Sequence, residues 1–209
     1  MEEKLDGIVV GSVNFGESDK ILTIFTPDKG VISAKIKGVK KAGAKLKFAS
    51  EPFCFAEYVF AASGDRRTVI SASLIDSFYP IREDIQKFFA AGVIGEFVRK
   101  FFKEEMVEEE TFLLVADTLK KLAYGDENAK SVLCGFLLKA LFNAGYGLNL
   151  NGCAVCGEEI KTRPYFDWSG GGFYCEKCVE NRGGARRCGR TAPVRSRASG
   201  RSRGAFPRR

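Results

Sequence analysis

The chain has 209 residues, 45% of them hydrophobic and 28% charged, enough for one large globular domain or two small ones. Its net charge of +7 sits at one end: residues 183–209 hold nine arginines and no acid, which leaves 24 basic against 26 acidic side chains, a net of −2, on residues 1–182. Local basic patches, not global charge, must therefore carry any nucleic-acid argument, and the complete absence of histidine excludes Ser-His-Asp and Cys-His catalysis, histidine metal sites and the zinc deaminases.

The opening MEEKLDG has neither a cationic nor an apolar signal region, so no signal peptide is expected. The longest apolar stretch, Phe88 to Gly95, is too short to span a bilayer, and a cytoplasmic protein is expected. Residues 1–78 read as strands. Leu5–Val13 alternates loosely, Ile21–Thr26 alternates with β-branched residues, and Pro27-Asp28-Lys29-Gly30 is a turn signal. Val31–Lys37 puts Val31, Ser33, Lys35 and Lys37 on one face and Ile32, Ala34 and Ile36 on the other. Phe53–Phe60 and Thr68–Leu74 complete five strands, which fit an OB-type barrel and almost as well an SH3-like one.

Residues 80–145 switch to helical period. Pro80 suits a first helical position, and Ile81, Ile85, Phe88, Phe89, Val93, Phe97 and Phe101 then recur as a stripe read as core. A second helix is expected over Met106–Leu122, its Glu108-Glu109-Glu110 run favoured by the dipole of the first turn, and a third over Asp126–Ala144, stopped by Gly145. Residues 151–182 form a cysteine module, and the Arg/Gly/Ser-rich residues 183–209 cannot build a core and are expected to be disordered.

Within the module, Cys153-x-x-Cys156 and Cys175-x-x-Cys178 are separated by 18 residues. Two such turns converge four thiolates on one ion, and the separation is that of a four-cysteine zinc site. Four thiolates leave no position for water, so one structural Zn2+ is expected. Phe166, Trp168, Phe173 and Tyr174 lie between the pairs, where packing about the ion and stacking on bases remain open. Cys54, in a strand, and Cys134, in an apolar helix, read as buried packing residues, and Cys188 as an exposed thiol.

The second feature is cationic. Lys35, Lys37, Lys40, Lys41, Lys45 and Lys47 fall within 13 residues that contain no acid. The first two project from one strand face; the rest lie in a flexible Gly/Ala-rich loop suited to a phosphate backbone. Six phosphate contacts give a salt slope of roughly −4 to −5. Arg66 and Arg67, in the next loop, add to the patch. GSVNFG is neither a dinucleotide fingerprint nor a P-loop, and Asp6, Glu17, Asp19 and Asp28 read as turn and surface residues. No catalytic constellation is found in the sequence.

GESDKILTIFTPDKGVISAKIKGVKK (residues 16–41), the strand PFCFAEYVF, the Phe-rich helices and LNxCxxCG…FDWSGGGFYCxxC (residues 148–178) together resemble the bacterial RecO family of recombination-repair mediators. The resemblance covers about residues 4–180. It implies an α+β multidomain fold with an N-terminal OB-fold β-barrel (1–78), a central helical domain (79–150), a four-Cys zinc element (151–182) and, departing from the family after Arg182, an Arg-rich tail (183–209). It further implies a protein that is not an enzyme, binds single- and double-stranded DNA, anneals complementary strands, contacts RecR and the C-terminal tail of single-strand-binding protein, and indirectly helps load RecA; association with the nucleoid follows from that role. Lys35, Lys37, Lys40 and Lys41 coincide with the family's basic OB segment. An RNA-binding OB/zinc-ribbon protein and a zinc-thiol redox switch stay open as alternatives.

Overall fold

The computed structural model describes residues 2–63, 66–104, 106, 109–146, 152–161, 164–167, 172–180 and 186–187. They fall into two units, Met1–Gly147 and Leu148–Arg209.

The first unit opens with five strands: β1 (Glu2–Phe15), β2 (Asp19–Thr26), β3 (Gly30–Ile36), β4 (Phe55–Ser63) and β5 (Arg66–Asp76). They close into a barrel in the order β1-β2-β3-β5-β4, with β1 pairing back onto β4. All pairs are antiparallel except β3 with β5, which run parallel from Ala34–Arg67 to Ile36–Val69. A meander of three strands closed by the non-adjacent β5 is the Greek-key closure of an OB-fold, which decides against the SH3-like alternative. The period-two pattern holds: Leu22, Ile24, Ile32, Ala34 and Ile36 fill the interior with Tyr58 and Phe60, while Ser33 and Lys37 lie on the exposed side and Val31 and Lys35 are half-buried.

The register of β1 breaks between Val9 and Gly11. Ile8, before the break, and Val10, within it, join a second apolar cluster with Phe25, Phe53 and the helices. After it, Val13 and Phe15 stand on the outside uncovered. One barrel face is therefore half core and half surface.

The fourth strand starts two residues later than expected. Phe53 takes a left-handed turn conformation (φ 63°). Its N–H bonds the Val9 carbonyl while the Val9 N–H bonds the Cys54 carbonyl. The turn sends Phe53 toward the helices and Cys54 into the barrel, where burial pushes the Cys54 thiol up to about 11.

The first expected helix is two: α1 (Pro80–Glu83) and α2 (Ile85–Phe101). Asp84 breaks the chain between them and caps α2, its carboxylate accepting from the N–H groups of Gln86 and Lys87 at 2.7 and 3.1 Å. The expected apolar stripe is corrected as well. Ile85 and Phe89 are 66% and 67% exposed, and Val93 and Phe101 are also exposed. The buried face is Ala90, Ala91, Ile94, Gly95, Phe97 and Val98. Small residues win that face because the helix lies hard against β1: a Cβ on Gly95 would sit 3.1 Å from the Val10 carbonyl oxygen. Then follow α3 (Glu109–Tyr124), α4 (Ala129–Leu141), capped by Asn128, and a wide turn over Phe142–Tyr146 in which Gly145 leaves the helical conformation. Cys134 on α4 is exposed, not buried, because Val132, Phe136 and Ala140 supply the packed face of that helix.

In the second unit, β6 (Tyr165–Asp167) pairs antiparallel with β7 (Gly172–Tyr174) and with β8 (Arg186–Arg187), and α5 (Glu176–Glu180) follows β7. Arg186 and Arg187 are thus in a short strand instead of a disordered tail. Trp168, Cys188 and the other residues of 183–209 lie outside the described residues. No helix among the described residues is long and apolar enough to cross a membrane.

Candidate nucleic-acid interface and metal centre

The lysine-rich segment leaves the end of β3 and is not a loose loop. Val39 is buried in the barrel cluster. Successive turns bond Lys41 N–H to the Gly38 carbonyl, Ala44 N–H to Lys41 and Lys47 N–H to Ala44, and the chain then enters a 3-10 turn at Phe48–Ser50. Two bonds tie its start to the β1–β2 hairpin. Gly38 N–H donates to Asp19 Oδ1 at 2.8 Å, and Lys40 N–H to the Ser18 carbonyl at 3.0 Å. The anchored backbone leaves Lys37, Lys40, Lys41, Lys45 and Lys47 exposed. Among the described residues none of these five ammonium groups meets a carboxylate within ion-pair distance.

Lys35 behaves differently. Its Nζ lies 2.9 Å from Asp19 Oδ2 and 4.5 Å from the centroid of the Phe15 ring. Phe15 pairs directly with Asp19 across the hairpin and is 49% exposed. The Gly38 N–H, together with Lys35 and Ser18, holds the Asp19 carboxyl at about 2, so it is charged throughout the neutral range. Two residues of this surface, Phe15 and Asp19, were not found by sequence reasoning. The available signal was a lone aromatic in Asn14-Phe15-Gly16, in phase with Val13 and ending an outward row.

Arg66 and Arg67 belong to β5, not to a loop. Arg66 is exposed. The Arg67 side chain is only 13% exposed and is shared between Glu3 and Glu104, at 3.2 and 2.5 Å. Its charge is spent on tying two barrel strands to the segment after α2.

In the second unit the four sulfurs of Cys153, Cys156, Cys175 and Cys178 all lie within 4.8 Å of one another. Sulfurs bound about 2.3 Å from one tetrahedral ion are about 3.8 Å apart, and Cys156 Sγ to Cys175 Sγ is 3.8 Å. Each cysteine pair sits on a hydrogen-bonded turn. Gly157 N–H bonds the Cys153 carbonyl at 2.8 Å, and Cys178 N–H bonds Cys175 at 3.1 Å. Gly157 has φ 73°, which a side chain would strain. Burial disfavours the Cys153 thiolate, but N–H groups of Cys156, Cys175 and Val155 bring it down to about 6. The bond with Cys175 and the crowding of neighbouring sulfurs push Cys178 up to about 12. A divalent cation among them reverses that penalty. The donor set and spacing fit a metal ion, and Phe166 packs on Phe173 at 5.2 Å beside the site.

The family descriptions "Recombination protein O N terminal" and "Recombination protein O C terminal" match residues 1–78 and 82–190. The chain belongs to the RecO family. It is 33% identical over 182 residues to the DNA repair protein RecO of Acetivibrio thermocellus, covering 87% of this chain and 72% of that one. Against the proteins of the same name from Desulforamulus reducens and Myxococcus xanthus, identity is 33% over 177 residues and 30% over 174. Those matches cover 84% and 83% of this chain and 68% and 71% of the relatives. The RecO match reaches residue 190, eight positions past the point where the sequence was read as leaving the family.

Proposed function

We propose that this RecO-family chain is a DNA repair and recombination protein that works by binding, not by covalent chemistry. The observation that carries the reading is the row of exposed lysines Lys37, Lys40, Lys41, Lys45 and Lys47, which meet no carboxylate among the described residues, on an OB barrel whose β1–β2 hairpin carries the exposed Phe15 ring. Point charges meet phosphates without reading bases, and an exposed ring stacks on any base, so the surface is sequence-tolerant and takes single strands as well as duplex. Neutralising the phosphates of two strands lowers their repulsion, and base pairing then supplies the free energy of annealing. In this reading the barrel, residues 1–78, carries DNA. The helical part, 79–150, meets protein partners: RecR, the C-terminal tail of single-strand-binding protein and, through them, RecA. The module 151–182 is fastened by one structural Zn2+ on Cys153, Cys156, Cys175 and Cys178. Arg66 and Lys35 belong to the surface; Arg67, already matched by two carboxylates, is left out of it.

The test is a salt titration of single-stranded DNA binding by the full chain. Lys40→Glu with Lys41→Glu removes two phosphate contacts and should flatten the slope by about 1.4. Unchanged affinity and slope in the folded double variant would refute the site. RNA that competes better than DNA of the same sequence would favour the RNA-binding reading instead. For the metal, elemental analysis should find one zinc per chain, lost in Cys153→Ser with Cys175→Ser; an intact chain with no bound metal rejects the assignment.

A further inference from the structure

We infer that Asp19 is the positioning residue of the nucleic-acid surface: by holding Lys35 beside the Phe15 ring and Gly38 at the head of the lysine segment, it sets the shape in which that surface meets a strand. The inference rests on the reading that this surface binds DNA. A carboxylate is the wrong group to meet phosphate, so its place amid six lysines asks for a reason. The reason is in its partners, which come from three separate segments. Ser18 Oγ donates to it from the β1–β2 hairpin at 3.3 Å, Lys35 Nζ from β3 at 2.9 Å, and the Gly38 N–H from the lysine segment at 2.8 Å. The neighbouring Ser18 carbonyl takes the Lys40 N–H at 3.0 Å. Asp19 is also the residue directly opposite Phe15 in the ladder. A single side chain thus joins the cation beside the ring to the start of the cationic segment. Without it, Lys35 keeps only its contact with the Phe15 ring, and among the described residues the start of the segment keeps the Ser18 bond and the buried Val39 as anchors.

Asp19 therefore has two opposed effects on binding, repulsion of phosphate and assembly of the surface, and isosteric substitution separates them. Asp19→Asn keeps an oxygen for the Gly38 N–H and removes the charge. Asp19→Ala removes both. Asp19→Glu keeps the charge and moves it by one methylene. The measurement is binding of an oligothymidylate to the full chain over a salt series, with amide hydrogen exchange at Gly38 and Lys40 read on the same proteins. Asp19→Asn keeps the Gly38 anchor, lets go of Lys35 and loses a charge that repels phosphate; the two changes offset, so it should bind about as tightly as the parent, with a slope steeper by about 0.7 because Lys35 is released to a phosphate. Asp19→Ala and Asp19→Glu should bind about tenfold more weakly and exchange the Gly38 amide faster. The opposite order, with Asp19→Ala matching Asp19→Asn and Asp19→Glu matching the parent, would mean that the carboxylate acts only as a charge, and the inference falls. Gly38 exchange that is equally fast in parent and Asp19→Ala overturns it without reference to DNA. If instead the lysine double variant binds like the parent, the DNA-binding reading fails separately.

Discussion

Phe25 and Phe15 lie on the same outward side of the barrel and end in opposite environments. Phe25 is fully buried, stacked on Phe102 and tilted against Phe112 with centroids 5.6 Å away in both cases. Phe15, on the other side of the register break in β1, is half exposed with an ammonium group beside its ring. The division follows the reach of α2: it approaches Val10 closely enough to demand Gly95, whereas Val13 beyond it is 61% exposed. Residue type alone does not tell a core aromatic from a binding aromatic on such a face. What tells them apart is whether another element covers it.

The larger expected effect is at the covered end. Phe25→Ala should cost about 3–5 kcal/mol of stability, the range for deleting a buried ring, read as a fall in the denaturation midpoint. DNA affinity of the remaining folded protein should stay near that of the parent. The smaller effect is at the open end. Phe15→Ala should leave stability within about 0.5 kcal/mol and weaken single-strand binding by about 1–3 kcal/mol, the worth of one stacked base. A Phe15→Ala variant that unfolds early but binds normally would erase the contrast.

Much of the barrel was legible beforehand because strand alternation and turn residues are local. β2 and β3 lie within two residues of their expected limits, and the inward set Ile32, Ala34 and Ile36 is as read. The cysteine cluster was legible for a similar reason: two CxxC turns carry their geometry with them. The stripe on α2 was misread because Ile85 and Phe89 look like core by composition, while Ala91 and Gly95 look neutral. Only the close approach of β1 turns small residues into the packed side. Arg67 was misread because its partners, Glu3 and Glu104, are 64 and 37 positions away. Asp19 was passed over as a surface acid because its bond to Gly38 spans 19 positions.

The chain order of residue types settled the strand faces, the tetrathiolate spacing and the crowding of six lysines into one short acid-free segment, since each depends on neighbours a few bonds away. Folding settled which of those charges stay free, which aromatic is left uncovered and which carboxylate ties them together. Those outcomes depend on groups brought into contact across the barrel, where distance along the chain carries no information about distance in space.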